Sequence, residues 1–430
     1  MTAQHRREFL FLQGLAGPFF RQLGAALAAG GHGVHRVNFN GGDWLAWRQP
    51  GAVSFRGRRA DWPAALERLL LEREITDLVL FGDCRPMHRA AVAAARQLQI
   101  QVHVFEEGYI RPDWVTLELG GVNGHSSLPR DPDWYLDAAR ALPPLGALPG
   151  IASNFWRRAR MDVAYNLGTL ALSWAYPHFR THRPNHIVVE YAGWLRQLAR
   201  RPATRRRSAD ALARLAAGNA PYFVFPLQLG SDYQVRLHSP FGSMGDAIVG
   251  VLRSFARHAP AEARLVVKQH PLDNGLTDWR RVTQAAAAAA GLDLGRLLYL
   301  EIGDIAPLVA GARGVVTINS TTGTLALASG VPVVTLGTAV YDIPRITFQG
   351  ELDRFWSAPE PPDPAVWDAF RRTLVARCLV RGGLFSEEGL ALLVAGAAER
   401  LLEAGAALPR TAAAGVAEDA TELRAAGARG

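Results

Sequence analysis

The fold is decided by the stretch 237–336, which contains the runs LVVKQHPLD (265–273) and GVVTINSTTGT (314–324). The first run is an apolar strand that ends in a Lys and a His-Pro. The second is a buried strand, a Ser/Thr-rich turn and the start of an Ala/Leu-rich helix. In an open parallel sheet, both turns face the ligand crevice, and helix N-termini bind phosphate. We therefore expect a nucleotide-phosphate site that includes Lys268, His270, Asn319, Ser320 and Thr321.

Strands alternate with helices on both sides of this stretch. The run EFLFL (8–12) reads as a buried strand, and a Gly-rich turn, a helix and a second strand at 35–39 follow it. That order begins a doubly wound domain. A further series of strands starts at 221–227, after an Arg-rich helix. With 430 residues, the chain has room for two domains with extensions, and we predict an α/β fold.

The composition is that of a globular protein with a basic surface. Hydrophobic residues make up 49% and charged residues 20%, and the formal net charge is +8. Nucleic acid, anionic lipid head groups and phosphorylated or acidic sugars all fit this charge, and so does a compositional bias toward Ala, Arg and Gly. The two cysteines form no CxxC motif, which favours a reducing cytosol. No apolar run is long enough to span a membrane, so we expect any membrane contact to be peripheral.

Motifs for a resident metal or cofactor are not found in the sequence. It contains no Walker A, HExxH, GxSxG or kinase set, and no metal-binding Cys/His cluster. We therefore expect neither a metal site nor a cofactor.

Two polar loops follow strands of the first predicted domain. The first is NFNGGDW (38–44), with Asn40 and Asp43, and it reads either as a substrate-facing loop or as a plain turn. The second is EEGYIRPDW (106–114), with two carboxylates, Arg111 and aromatic residues. Its place at a strand end favours a functional role over a solvated loop.

Residues 131–184 are predicted to be mostly helical and carry several aromatic side chains. An aromatic stripe is usually core, but here it can also help to contact a lipid-linked acceptor. These residues are Trp134, Tyr135, Phe155, Trp156, Tyr165, Trp174 and Tyr176.

Two α/β domains with a phosphate site in the second resemble nucleotide-sugar glycosyltransferases of the GT-B type, with two Rossmann-like domains facing a central cleft. That class implies a donor on the C-terminal domain and an acceptor on the N-terminal one. The predicted parts are an acceptor-side domain (1–195), an Arg-rich connector (196–218), a nucleotide-sugar-binding domain (219–405) and a disordered tail (406–430).

Glycosyl transfer with retention can use a carboxylate nucleophile and a general acid/base. The carboxylates at predicted strand ends are Asp43, Asp83, Glu106, Glu107, Asp113, Glu118 and Asp232. Asp232 lies in the donor domain, and Glu106 and Glu107 lie in the acceptor domain. That division suits Asp232 as nucleophile and Glu107 or Glu106 as acid/base, while leaving the choice of nucleophile open.

The chain resembles the KpsS/LipB-type capsule polysaccharide proteins of Gram-negative bacteria over residues 9–350. Asp232 accompanies the motifs that carry the resemblance. These are FLQG (11–14), GPFF (17–20), NFNGGDW (38–44), FEEGYIRPDW (105–114), FPLQ (225–228, ending in Gln228), HSPF (238–241), Lys268 with HPLD (270–273), and TINST (317–321).

This resemblance implies a β-Kdo transferase that uses CMP-Kdo and starts a poly-Kdo linker on lysophosphatidylglycerol. It implies a cytoplasmic protein at the inner face of the inner membrane. Its implied partners are a KpsC-type transferase, which extends the linker, and a capsule ABC transporter. In related Kdo transferases the His-Pro and Ser/Thr motifs hold CMP, which points to His270, Ser320 and Thr321. Gln228, Arg111, Asn40 and Asp43 complete the expected substrate-binding set.

Two other functions fit parts of the sequence. A non-catalytic capsule export component would bind lipid-linked glycan and leave CMP-Kdo unconsumed. The pairing of strand-end carboxylates with the His-Pro and Ser/Thr motifs argues against it. Nucleic-acid binding rests on net charge alone, because no recognised motif is present and the arginines do not interleave with aromatics. We therefore expect no nucleic-acid partner.

Overall fold

The computed structural model describes residues 6–181, 185–230, 235 and 238–406. They form two α/β halves, with a seven-stranded sheet in the first and a five-stranded sheet in the second. The two Rossmann-like domains that the sequence predicts are confirmed. The predicted tail lies outside the described residues from residue 407 onward.

The first sheet is mainly parallel. Its strands are β1 (Glu8–Phe11), β2 (Gly33–Asn38), β3 (Ala52–Ser54), β4 (Asp77–Phe81), β5 (Gln101–Glu107), β6 (Trp114–Leu119) and β12 (Leu379–Arg381). The order is β12-β6-β5-β4-β1-β2-β3, in which β1 to β5 run parallel, β6 is antiparallel to β5, and β12 is antiparallel to β6. After β1 the chain adds β2 and β3 on one side and then β4 and β5 on the other, so the switch point of the sheet lies between β1 and β4. A crevice forms beyond the carboxyl ends of these two strands.

Helices cover both faces of the first sheet. They are α1 (Phe19–Ala29), α2 (Gly41–Trp47), α3 (Trp62–Glu72) and α4 (Pro86–Gln97). Helix α6 (Phe155–Ala171) packs on α2, whereas α5 (Pro132–Ala139) packs on the second half, where Tyr135 contacts Phe370. Successive side chains of β1 point to opposite faces: Phe9 and Phe11 pack with α1, and Leu10 packs with α3 and α4. An unbroken apolar strand is therefore what a sheet covered on both sides requires.

The second sheet is entirely parallel. It contains β7 (Tyr222–Pro226), β8 (Arg264–Lys268), β9 (Leu297–Leu300), β10 (Gly314–Thr317) and β11 (Val333–Thr335), in the order β11-β10-β7-β8-β9. Its helices are α8 (Met244–His258), α9 (Trp279–Ala289), α10 (Ile305–Ala310), α11 (Thr322–Ala328), α12 (Leu352–Phe355) and α13 (Pro364–Arg377). Phe223 and Phe225 face α8 and Trp356, whereas Val224 faces the other layer.

The end of the chain returns to the first half. Strand β12 pairs with β6, and α14 (Glu387–Ala406) packs against α1 through Leu393 and Leu401. By these contacts residues 379–406 belong with the first sheet, although the predicted boundaries place them up to 405 in the second domain. The difference arises because a three-residue strand and an Ala/Leu-rich helix carry no signal of which sheet they join.

The predicted Arg-rich connector is part of one long helix. Helix α7 (Ile187–Ala216) runs through it without a break, with Pro202 in its interior. Its second part is attached to the second half: Arg207 pairs with Glu301 at 2.8 Å, and the Ser208 hydroxyl accepts the backbone N–H of Ile302. The two halves are therefore joined by a rigid element.

A buried polar network attaches α6 to α2. The side chain of Asn40 caps α2 by accepting the N–H of Asp43, and the Asp43 carboxylate lies 3.3 Å from the Arg36 guanidinium. The Tyr165 hydroxyl from α6 donates to Asp43 and accepts from the amides of Asn40 and Gln13. Burial lowers the pKa of Arg36, while Asp43 opposes that shift.

Replacing Asp43 by Asn should destabilise the protein, because it leaves the Arg36 charge buried without its counter-ion. We expect the free energy of unfolding to fall by about 3 kcal/mol, measured by urea denaturation. Asp137→Asn is the control, since the Asp137–Arg140 pair is exposed and should cost less than about 1 kcal/mol. Equal effects of the two substitutions would contradict a structural role for the buried pair.

Candidate functional site

The carboxyl ends of the second sheet form a crevice at its switch point. Strand β7 lies at the centre, between β8 and β10, and the chain leaves it first on one side and later on the other. The loops after these three strands carry Gln228, His270 and Asn319. Ligands of open α/β sheets bind at this position. The predicted strand ends are therefore adjacent, as the sequence indicates.

His270 is held neutral and oriented. Its Nδ1 accepts the backbone N–H of Leu272 at 3.0 Å, so the ring proton is on Nε2. Burial, together with the positive charges of Arg111 and Lys268, lowers its pKa to about 4. A neutral imidazole with a free Nε2–H can donate a hydrogen bond to a phosphate oxygen.

The His-Pro loop is shaped by Asp273, which is buried. Its carboxylate accepts the N–H of Gly275, the amide of Gln269 and the indole N–H of Trp279. Lys268 is also buried, and its Nζ donates to the carbonyl oxygen of Gln269. Burial lowers the pKa of Lys268, and Glu301 opposes the shift. Lys268 thus lies beside the loop, with its ammonium group turned to the backbone.

The turn after β10 is organised by side-chain hydrogen bonds. Gln228 and Asn319 exchange two bonds: the Gln228 amide donates to Asn319 Oδ1 at 2.8 Å, and the Asn319 N–H donates to Gln228 Oε1 at 3.2 Å. The Ser320 hydroxyl accepts the N–H of Thr322, the first residue of α11. The Tyr341 hydroxyl donates to the Ser320 carbonyl oxygen. These bonds hold the N-terminus of α11 at the mouth of the crevice.

Glu107, at the end of β5, is clamped by two arginines. Arg111 Nη1 lies 3.1 Å from one carboxylate oxygen, and Arg158 Nη2 from α6 lies 2.9 Å from the other. The charges of all three residues act on His270 of the second half. The structure therefore places the predicted acceptor-side residues Glu107 and Arg111 near enough to the predicted donor-side His270 for their charges to act on its pKa.

Glu106 lies next to this cluster. Its Oε1 accepts the N–H of Glu107 at 3.3 Å, and its other oxygen lies over Gly82, at the end of β4. A Cβ at Gly82 would come 3.4 Å from that oxygen, and Gly82 has a positive φ of 68°. Glu106 and Glu107 therefore reach two different parts of the cleft rim.

Direct bonds connect the two halves beside the cleft. The Thr324 hydroxyl of α11 lies 2.9 Å from the carbonyl oxygen of Tyr109, and Arg130 pairs with Asp342. Tyr109 is buried, its hydroxyl donates to Glu118, and burial raises the pKa of both groups. Glu118 is thus a structural carboxylate in the described part of the cleft.

Cys84, His125 and His238 converge from three segments and both halves. One ligand atom of each lies within 4.8 Å of the others. An Asp83 carboxylate oxygen lies 2.9 Å from His125 Nδ1. In metal sites a carboxylate commonly bonds in this way to the second ring nitrogen of a metal-bound histidine. These side chains could hold a soft divalent ion such as Zn²⁺. The sequence analysis predicts no Cys/His cluster and does not find this one, because its three residues are far apart along the chain.

Other predicted site residues lie elsewhere. Asn40 and Asp43 are buried between α2 and α6, where the network described above occupies their polar atoms. Asp232, the predicted nucleophile, lies outside the described residues. The sequence reasoning did not single out Arg158. Its signal was weak, because it is one of several arginines in an aromatic-rich helix.

Comparison with known proteins identifies the family. Residues 76–385 match the family described as capsule polysaccharide biosynthesis protein. The chain belongs to this family. It is 34% identical over 377 residues to the capsule polysaccharide export protein KpsS of Escherichia coli, covering 87% of this chain and 96% of that protein. The predicted family resemblance is confirmed.

The chain is similar to two further proteins. The capsule polysaccharide modification protein LipB of Neisseria meningitidis serogroup B is 34% identical over 384 residues, covering 88% of this chain and 91% of that protein. Among solved structures, the KpsC beta Kdo 2,7 transferase of Thermosulfurimonas dismutans matches with a TM-score of 0.42 and 14% identity, covering 93% of this chain and all of that one, 100%.

The half-buried, neutral state of His270 predicts a pH dependence of stability. Its pKa is about 4 in the folded protein and 6.5 when unperturbed, so the unfolded chain binds more protons between these values. Stability should therefore fall as the pH drops through this window. At pH 5 the loss assigned to His270 is about 2 kcal/mol.

We expect His270→Asn to lack this loss, while its side-chain oxygen can still accept the N–H of Leu272. The measurement is the free energy of unfolding in urea at pH 7 and at pH 5 for both proteins. The difference between the two pH values should be smaller in the variant. Parallel pH curves for wild type and variant would contradict the lowered pKa of His270.

Proposed function

We propose that the protein is a retaining glycosyltransferase of capsule polysaccharide biosynthesis. It moves Kdo from CMP-Kdo to a lysophosphatidylglycerol acceptor and so starts the poly-Kdo linker of an exported capsule. The observation that supports this best is the opposition of His270 to Glu107 with its two arginines, across a cleft between two Rossmann-like halves.

The donor half of the cleft suits CMP. The Nε2–H of neutral His270 can donate to the phosphate, and the adjacent turn presents the hydroxyls of Ser320 and Thr321. The Gln228–Asn319 pair fixes that turn to the central strand. CMP-Kdo carries a phosphate and a sugar carboxylate, so a rim containing Arg111 and Arg158 complements both charges.

Retention can be achieved by two successive displacements at the anomeric carbon. In our proposal the Asp232 carboxylate attacks this carbon, the bond to the CMP oxygen breaks, and a covalent glycosyl-enzyme forms. Glu107 or Glu106 then takes the proton of the acceptor hydroxyl as that hydroxyl displaces Asp232. His270 stabilises the charge that develops on the leaving phosphate.

Glu107 and Glu106 differ in their surroundings. Both oxygens of Glu107 are engaged by arginines, whereas Glu106 accepts a backbone N–H beside Gly82. To act as the base, Glu107 would have to release one guanidinium. If it acts instead by holding Arg111 and Arg158, its loss should weaken binding of the anionic substrates more than it slows the proton transfer.

The proposed location is the inner face of the inner membrane, with peripheral attachment. No helix among the described residues is long and apolar enough to cross a bilayer. Proposed partners are a KpsC-type transferase, which receives the product, and a capsule ABC transporter. The rival function is a non-catalytic export component that binds lipid-linked glycan, and the description of the Escherichia coli relative as an export protein favours it.

Transferase activity separates these two functions. Purified protein is incubated with CMP-Kdo and a lysophosphatidylglycerol. We expect release of CMP and formation of a Kdo-lipid, both detected by mass spectrometry. Asp232→Ala should lower kcat by about 100-fold or more, and His270→Asn by about tenfold or more. Glu72→Gln, an exposed acid on α3, is the control and should be unchanged. Acceptor binding without any CMP release would support the export component instead.

The same assay distinguishes the two glutamates. If Glu106 is the base, Glu106→Gln should reduce kcat by about 100-fold or more, and Glu107→Gln should mainly raise KM for CMP-Kdo. The opposite pattern would assign the proton transfer to Glu107. If neither substitution alters kcat or KM, the acceptor side of the proposed site is wrong.

A further inference from the structure

The outer face of α6 carries an apolar stripe that is open to solvent. No residue of this helix is buried. The stripe consists of Trp156, Val163, Leu167, Leu170 and, just after the helix, Trp174. The two tryptophans are 73% and 78% exposed, and the other three side chains between 40% and 56%. The spacing of seven, four and three residues places Trp156, Val163, Leu167 and Leu170 on one side of the helix.

The opposite face of α6 is firmly attached. Tyr165 and Thr169 bond to the network around Asn40, and Gly168 lies close enough to Gly41 that a Cβ on Gly41 would collide with its carbonyl. The core-facing side of α6 is therefore already packed and hydrogen-bonded. Rotating the stripe inward would break these bonds, so the stripe is a permanent surface feature.

Helix α7 extends this surface. The Asn166 amide of α6 donates to the Tyr191 hydroxyl of α7 at 3.3 Å. Close to that contact, α7 exposes Val188, Val189, Leu195 and Leu198. The helix is held in place from its other side by Glu190, which accepts from Asn274 at 2.7 Å. We call the exposed residues of 155–181 and 185–206 the α6–α7 surface.

The charge on the α6–α7 surface has one sign. Its exposed charged side chains are Arg160, Arg180, Arg196, Arg200, Arg201, Arg205 and Arg206. The two acids in these ranges are not exposed: Glu190 is buried, and Asp162 is half-buried and accepts from Asn166. A strongly basic surface with exposed apolar residues complements an anionic and apolar partner.

We propose that the α6–α7 surface docks on a bilayer that contains anionic phospholipid. An amphipathic helix with a basic surround lies in the plane of the membrane interface. Trp156, in the first turn of α6, and Trp174, just after its end, mark the two ends of the stripe, and Trp favours the head-group level. Arginines at a bilayer surface are attracted to anionic lipid.

This docking would place the candidate site next to the membrane, and in that respect it rests on the proposed function. Arg158 lies two positions after Trp156, which is about 200° around the helix, and it pairs with Glu107. The stripe and the acceptor side of the site are thus on opposite sides of one helix, about 10 Å thick. A lipid head group lifted past α6 would meet Arg158 and Glu107.

Vesicle co-sedimentation tests the proposal without any transfer reaction. The full-length protein is mixed with vesicles of phosphatidylcholine alone, with added phosphatidylglycerol, or with added phosphatidylserine. We expect binding to both anionic mixtures, because a docking surface depends on the negative charge of the bilayer and on insertion of apolar side chains. A pocket for the acceptor would instead select the glycerol head group. The double variant Trp156→Ser/Trp174→Ser should bind about tenfold more weakly or worse.

The matched control replaces two exposed leucines on other elements, Leu71→Ser/Leu294→Ser, and should bind as wild type does. Turnover of a soluble, monomeric lysophosphatidylglycerol should be the same in the tryptophan variant and in wild type. Failure of the transfer reaction with vesicle binding intact would remove the proposed function and leave the docking surface.

Three results would overturn the docking proposal. The first is no binding to anionic vesicles, and the second is equal binding by the tryptophan variant and wild type. The third is a concentration-dependent dimer, seen by light scattering, that the tryptophan substitutions abolish and lipid does not compete with. That result would make the surface an interface between two copies of the chain.

Discussion

The ion pairs of Glu107 with Arg111 and Arg158 connect most features of this protein. Glu107 ends the strand β5, Arg158 belongs to α6, and both act electrostatically on His270 in the other half. A carboxylate between two guanidinium groups fixes the position of α6 over the cleft. The two arginines also give the cleft rim a positive charge near the neutral imidazole of His270. A positively charged rim suits an anionic donor.

The cleft geometry follows from sheet topology. In each half the chain adds strands to one side of the first strand and then crosses to the other side, so each sheet has a crevice at its carboxyl edge. The Thr324–Tyr109 contact and the Arg130–Asp342 pair bring the two edges together. The candidate site residues therefore lie at strand ends and in the loops that follow them, while the central strand β7 is apolar on both faces.

Several parts of this arrangement could be predicted from the sequence. Unbroken apolar runs such as 9–12 and 265–267 predict buried parallel strands, because only such strands need apolar side chains on both faces. The position of His270 after one of them predicts its place in the crevice. The same logic places Glu107 and Arg111 at the facing edge, and the structure brings these residues together.

Other parts depend on packing that the sequence does not display. The polar residues Asn40 and Asp43 read as substrate ligands, but α6 covers them and their polar atoms bond to Tyr165. Only the structure shows which aromatic side chains of residues 131–184 are buried and which are exposed. Tyr135 is buried against Phe370, whereas Trp156 faces solvent. Strand β12 is too short to show that the chain returns to the first sheet.

The central claim is that the second half holds the donor nucleotide at His270, opposite Glu107. A crystal structure of the protein with CMP tests it most directly. The account predicts the CMP phosphate within hydrogen-bonding distance of His270 Nε2 and beside Ser320, with its open side toward Glu107 and Arg158. CMP bound outside this cleft, or with its phosphate away from His270, would contradict the account.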